Sequence, residues 1–274
     1  MRLKIQLRYN GILPFDLPLN YNYKLTANLY RLFAKSSQEY SEFLHNKGFI
    51  INGKHLKLFT FSRLFPRKYK IVNQHIRVFH PVIDWYFSTI IDKSIEHIVR
   101  GIFADECIIL NYKDNDIRLY FDQIISEPVI EFTEKMKFKC LSSINVNSNQ
   151  RKEDVDYFRD TELFRQELYY NLLSKYRIIH NAEIETDVPF QFEFLPGYLY
   201  KRQNRIDESI QYRKSDSAII YIRGFFAPFR IRCDNRLIEI GYQCGFGMRN
   251  SAGFGMVEVL KDKMPQKHPT SSRL

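Results

Sequence analysis

Twice along this chain, apolar residues at every second position give way to apolar residues at helical spacing and then return to alternation. That recurrence restricts the fold more than any single motif. The first cycle opens with RLKIQLRY (2–9), where Leu3, Ile5 and Leu7 alternate with Arg2, Lys4, Gln6 and Arg8. This is the pattern of a half-buried strand with a basic outer face. In KLTANLYRLFAKSS (24–37), Leu25, Leu29, Leu32 and Phe33 keep helical spacing, and QEYSEFLHNKG (38–48) predicts a second short helix stopped at Gly48. HLKLFTFSRL (55–64) returns to alternation with Lys57, Phe59 and Phe61 on one face, and WYFSTI (85–90) predicts another strand. DKSIEHIVRGIF (92–103) sets Ile95, Ile98, Val99 and Ile102 on one helical stripe. Strands are expected at 106–112 and 116–125. Strand, helix, two strands, helix, strand is the split βαβ, or ferredoxin-like, order.

The second cycle starts with extended character at 128–141 and a polar, loop-like 143–154. A helix is predicted over 156–176, and strands over the Phe-, Tyr- and Ile-rich 190–201 and 217–232. In DNRLIEIGYQC (234–244), Leu237, Ile240, Gly241 and Cys244 fall at i, i+3, i+4 and i+7, with Asp234 or Asn235 as the cap. A final strand is expected at 254–260. The expectation is an α+β chain of two domains, 1–126 and 127–260. The last segment, 261–274, is polar and proline-containing and is expected to be disordered.

Composition narrows the partners. Forty-one Lys and Arg against thirty-one Asp and Glu give a net charge of +10, which favours a polyanion such as nucleic acid. No apolar run reaches spanning length, so no membrane is expected. Cys107, Cys140, Cys233 and Cys244 lie far apart without a CxxC pair, and read as buried free thiols of a cytoplasmic protein. Clustered carboxylates or histidines with metal-ligand spacing are not evident, so neither metal nor cofactor is expected.

Five of the eleven glycines stand in GYQCGFGMRNSAGFGMVEV (241–259). Glycine permits close approaches and dihedrals that a Cβ would block, and backbone N–H groups can cradle phosphate. A dinucleotide fingerprint does not fit, because five residues separate the second and third glycines of GFGMRNSAGFG and the run leads from helix to strand. No Lys-Ser/Thr follows for a phosphate-binding P-loop.

The run Gly245-Phe246-Gly247-Met248-Arg249-Asn250-Ser251-Ala252-Gly253-Phe254-Gly255-Met256-Val257 resembles the C-terminal glycine-rich signature of the CRISPR-associated repeat endoribonucleases. Met248 stands where a charged residue is common in that family. The resemblance spans nearly the whole chain and implies two tandem ferredoxin-like (RRM-like) domains. It also implies a Tyr in the first helix, a following His and a Lys opening a strand, met here by Tyr30 in ANLYRLF, His45 in FLHNKGF and Lys57 in KLFTFS. The segment FIINGKH (49–55) lengthens the His-to-Lys connection, and Lys54 is the alternative to Lys57.

Without the resemblance, Tyr30 reads as a core or rim aromatic and His45 as a packed or capping histidine near a helix end. Lys57 shares a face with Phe59 and Phe61, where a lysine either snorkels or enters a cleft. Arg249 and Asn250 read as solvated turn residues or as phosphate contacts. The cluster RLFPRKYK (63–70) reads as solvated surface or a second RNA contact. His55, His75, His80, His97, His180 and His268 receive no role.

What the resemblance implies is metal-independent cleavage of CRISPR repeat RNA in the precursor transcript to give guide RNAs. The RNA 2′-hydroxyl attacks the adjacent phosphorus, leaving a 2′,3′-cyclic phosphate and a 5′-hydroxyl. His45 is the expected general acid/base, Tyr30 its partner and Lys57 the electrostatic stabiliser. Gly245, Gly247, Arg249, Asn250, Gly253 and Gly255 are expected to hold the RNA backbone or to shape the cleft between the domains. Partners implied are the repeat RNA and a CRISPR effector complex, with the chain a monomer or homodimer. A non-catalytic RNA-holding subunit is the alternative; retention of Tyr30, His45 and Lys57 favours the enzyme.

Overall fold

The computed structural model describes residues 1–51, 53–112, 115–148, 153–213 and 219–260. The segment expected to be disordered, 261–274, lies outside them. In the N-terminal half, β1 (Arg2–Tyr9) runs between β3 (Val82–Thr89) and β5 (Asn115–Ser126), with Ile5 opposite both Trp85 and Ile124. β2 (Phe59–Phe61) pairs with the far side of β3, and β4 (Cys107–Tyr112) with the far side of β5. Helices α1 (Asn22–Ser36) and α2 (Asp92–Ala104) cover one face. They touch closely at Gly101, where a Cβ would stand 2.2 Å from the Leu32 carbonyl oxygen. Leu3, Ile5, Leu7, Leu25, Leu29, Leu32, Phe33, Ile98 and Ile102 are all buried in the core between them.

The C-terminal half repeats the plan. β6 (Lys135–Cys140), α3 (Thr161–His180), β7 (Gln191–Phe194), β8 (Phe229–Arg232), α4 (Asn235–Cys244) and β9 (Val257–Val259) follow in sequence. The sheet order is β7-β8-β6-β9. In each half the βαββαβ strands lie in the spatial order fourth, first, third, second, all antiparallel, with β4 added at one edge of the first sheet. These are two tandem ferredoxin-like folds. The added edge strand is closed by side chains of α1 at i, i+4 and i+7. Lys24 donates to the Asn111 carbonyl, and Asn28 bonds both backbone groups of Ile109 at 2.8 and 2.9 Å. Arg31 donates to the Cys107 carbonyl at 2.7 Å. An otherwise unpaired edge is thereby satisfied.

Several elements differ from expectation. The strand read at 55–64 is interrupted. A hairpin, Phe49–Ile51 with Lys54–Leu56, ends before Lys57, and Leu58 takes a left-handed φ of 54° before β2 resumes. The helix read at 38–48 is α-helical only over Gln38–Glu42 and widens to a π-turn over Phe43–Lys47. The strand read at 190–201 ends at Phe194. Pro196, at the first helical position, starts a short helix to Lys201, because proline's fixed φ suits that position and its missing N–H is not needed there. Asp160 caps α3 by accepting from the Leu163 N–H, which delays the predicted helix start to Thr161. Further antiparallel pairings were not anticipated, although Ile219–Phe225 falls within the strand expected over 217–232. One joins Phe15–Pro18, His75–Val78 and Tyr69–Val72; another pairs Asp207–Arg213 with Ile219–Phe225. All four cysteines are free and buried, and no helix among the described residues is long and apolar enough to cross a membrane.

Candidate active site

Asn22, Thr26 and Tyr30 recur every four residues on α1 and so share a face. Asn22 Nδ2 donates to the carbonyls of Ala252 and Gly253, both at 3.4 Å, and Thr26 Oγ1, whose shorter bond is to the Asn22 carbonyl at 3.0 Å, also reaches that of Ser251 at 3.4 Å. Two turns of this face therefore grip the glycine-rich loop, and the third presents Tyr30. The Tyr30 ring meets the His45 imidazole edge-on, centroids 5.5 Å apart and planes at 80°. Burial pushes the Tyr30 phenol above its ordinary range, with the neighbouring Tyr212 adding to the effect.

His45 is exposed on the π-turn, its Nδ1 paired with Asn46 Oδ1 at 2.9 Å. Lys57 Nζ donates to the His45 carbonyl at 3.1 Å, and partial burial lowers its ammonium below the usual lysine range. Gly48, at φ +58°, ends the turn. A Cβ there would stand 2.6 Å from the Leu56 carbonyl oxygen and 3.1 Å from Lys57 Nζ. The three residues expected from sequence are thus brought together, Tyr30 against the imidazole and Lys57 against the backbone of His45. Lys54 closes the hairpin, and its side chain lies outside the described part of the structure.

Lys57 also lines a cleft of about 350 Å³ whose other walls include His55, Asn147, Lys175, Arg249 and Asn250. The cleft joins the hairpin of the first half to α3 and the glycine-rich loop of the second. A larger groove of about 700 Å³ runs between α1 and β4, but its Lys24, Asn28 and Arg31 are committed to the β4 edge.

Gly245, Gly247, Gly253 and Gly255 all have positive φ and all are buried. A Cβ on Gly247 would stand 2.2 Å from the Asn145 carbonyl oxygen, and one on Gly255 2.1 Å from that of Phe246. On Gly253 it would meet the Phe61 ring at 2.6 Å. The space cleared by these glycines is filled by protein, so they shape the seam between the two halves. Asn250 works inside the loop, donating to the Phe254 carbonyl at 3.0 Å and accepting from Lys175 at 2.8 Å. Arg249, at φ +56° on the tip, is exposed, and its guanidinium forms no ion pair among the described residues.

Lys175 was not anticipated. Its side chain is 1 % exposed, and Nζ donates to the carbonyls of Gly245 at 2.6 Å and Gly247 at 3.0 Å besides Asn250. An ammonium has three donors, and all three are used. Burial lowers its pKa to about 7. The available signal was its place on the apolar stripe Phe164, Leu168, Leu172, Lys175, where a charge has to be paired. Among the described residues, no group of three or more His, Cys, Asp or Glu is arranged to hold a metal ion.

Tandem ferredoxin-like halves meeting at a basic cleft, with a tyrosine–histidine pair next to the lysine that lines it, define a class, and its relatives give it a family. Residues 16–118 match the family described as CRISPR-associated protein Cas6, N-terminal, and residues 125–259 the one described as CRISPR associated protein Cas6, C-terminal. The chain belongs to the Cas6 family. It is 27% identical over 268 residues to the CRISPR-associated endoribonuclease Cas6 1 of Methanocaldococcus jannaschii, covering 96% of this chain and 94% of the relative. A solved structure of a Cas6-related gene product from Pyrococcus furiosus superposes with a TM-score of 0.75 at 24% identity, covering 96% of this chain and 99% of that one. Another, described as CRISPR associated protein Cas6, gives 0.69 at 25% identity, covering 95% and 99%.

Proposed function

We propose that this chain is an endoribonuclease that cuts CRISPR repeat RNA in the precursor transcript, and that it does so by metal-independent transesterification. The observation that carries the reading is the convergence at one rim of Tyr30 edge-on to His45 and Lys57 on the His45 carbonyl. Lys57 in turn shares its cleft with Arg249. The naming of the M. jannaschii relative as an endoribonuclease supports it. The N-terminal domain, 1–126, supplies the chemistry, and the C-terminal domain, 127–260, supplies the loop that presents Arg249.

In this mechanism the RNA lies with its scissile phosphate on Lys57, whose ammonium meets the charge that builds on the phosphorane oxygens. His45 moves one of the two protons, that of the attacking 2′-hydroxyl or that required by the departing 5′-oxygen. Tyr30, packed against the imidazole, orients it and the nucleophile. Arg249 grips a flanking phosphate, and the glycines give the loop the left-handed turns that place it there.

Cleavage of repeat RNA should persist undiminished in excess EDTA and leave a cyclic phosphate and a 5′-hydroxyl. Activity that vanished in chelator and returned only with Mg²⁺ or Mn²⁺ would overturn the mechanism.

A further inference from the structure

We infer that His55 is a second catalytic acid–base residue, acting opposite His45 across the phosphate held on Lys57. This rests on the ribonuclease reading above and deepens it. An in-line displacement at phosphorus needs one group to take the 2′-hydroxyl proton and another to give a proton to the 5′-oxygen on the far side. An imidazole can take either role. Tyr30, its phenol pushed up by burial, is poorly suited to the second role.

His55 meets the requirement by position. It stands two residues before Lys57, and both side chains are taken by the end of the same π-turn. Lys57 Nζ reaches the His45 carbonyl at 3.1 Å, and His55 Nδ1 reaches the Lys47 carbonyl at 2.6 Å. A carbonyl only accepts, so Nδ1 carries the proton and the ring is held with Nε2 as its free working nitrogen. The ring is exposed and lines the cleft with Lys57, Lys175 and Arg249, the charged groups of the described lining. His45 and Tyr30 do not line that cleft; His45 meets Lys57 through its carbonyl. Lys57 thus lies close along the chain to two histidines whose rings are each anchored at Nδ1, His55 two residues before it and His45 bonded to it through its carbonyl. In the step, O2′–P forms as one histidine accepts the 2′-proton, and P–O5′ breaks as the other, protonated, histidine donates to the leaving oxygen. One proton passes in and one passes out, with no change of oxidation state.

The test uses His55→Asn, whose amide can keep the bond to the Lys47 carbonyl, with His55→Gln as a second variant and thermal melting to confirm the fold. Single-turnover cleavage of repeat RNA should slow by about 10²–10⁴-fold while RNA affinity stays within about threefold. A substrate with sulfur in place of the bridging 5′-oxygen needs no proton donor. It should restore the rate of one of the two variants, His45→Asn or His55→Asn, and not of the other. A His55→Asn rate within about threefold of the unaltered protein, or rescue of both variants or neither, would overturn the inference. If the unaltered protein did not cut repeat RNA at all, the ribonuclease reading itself would fail, a separable result.

Discussion

Gly255→Ala separates two accounts of why the loop is rich in glycine. If the glycines were cleared for RNA, the added methyl would meet solvent in the free protein and cost only the roughly 1–2 kcal/mol of its left-handed backbone. In the structure it meets the Phe246 carbonyl oxygen at 2.1 Å and Asn250 Nδ2 at 2.5 Å, on a residue at φ +81°. The left-handed region alone costs an alanine roughly 1–2 kcal/mol. The contact with a main-chain oxygen has no flexible side chain to relieve it. Displacing Asn250 also loosens its bonds to Phe254 and Lys175, and a buried group left unpaired costs about 1–3 kcal/mol. The expected loss is therefore about 2–5 kcal/mol. Gly197→Ala is the control: it lies in the short helix Pro196–Lys201, no heavy atom stands within 4 Å of its added Cβ, and alanine should stabilise by about 0.5–1 kcal/mol. Urea midpoints at equal m-value report both. A Gly255→Ala protein within about 0.5 kcal/mol of the parent, with weakened RNA binding only, would refute the packing account.

The buried lysine and the exposed arginine lead to two more predictions. Lys175 titrates near 7 in the fold against an ordinary 10.5, so between those values the unfolded chain binds more protons and stability rises with pH. The stability gap between the parent and Lys175→Met should shift in the parent's favour by up to about 1.4 kcal/mol per pH unit above pH 7, read from urea midpoints; a pH-independent gap would contradict it. Arg249→Ala should weaken RNA binding and reduce the slope of log K against log salt by about 0.7, the single-strand value for one phosphate contact, with melting unchanged. An unaltered slope would make Arg249 a bystander.

The helix that was most legible has one buried face: α2 repeats its period cleanly because Lys93, Glu96 and Arg100 are wet opposite Ile95, Ile98 and Ile102, whereas α4 also buries Ile238 and Tyr242, off the expected stripe. The helix Pro196–Lys201 has no buried residue, so its Tyr and Leu side chains carry no stripe and read as a strand. Lys57 was legible as a candidate, but its alternation with Phe59 was misleading, since Leu58 reverses the backbone between them. Tyr30, His45 and Lys57 were singled out through the family pattern rather than through spacing. His55 and Lys175 were missed for opposite reasons. One is an exposed histidine whose anchor is a backbone carbonyl, which no side-chain pattern reveals. The other is a charge hidden among apolar neighbours. The glycine run posed the right question, but its answer lies at Asn145 and Phe61, far away along the chain.

The central claim is that the RNA supplies its own nucleophile, and a repeat RNA carrying one deoxynucleotide immediately 5′ of the scissile phosphate tests it most directly. Cleavage at that position should be abolished, while binding survives on the remaining phosphate and base contacts. The same substitution one nucleotide away should leave most of the rate intact. Cutting at the deoxy position, with an ordinary phosphate end, would mean that water attacks, and would contradict the roles given to Tyr30, His45 and Lys57.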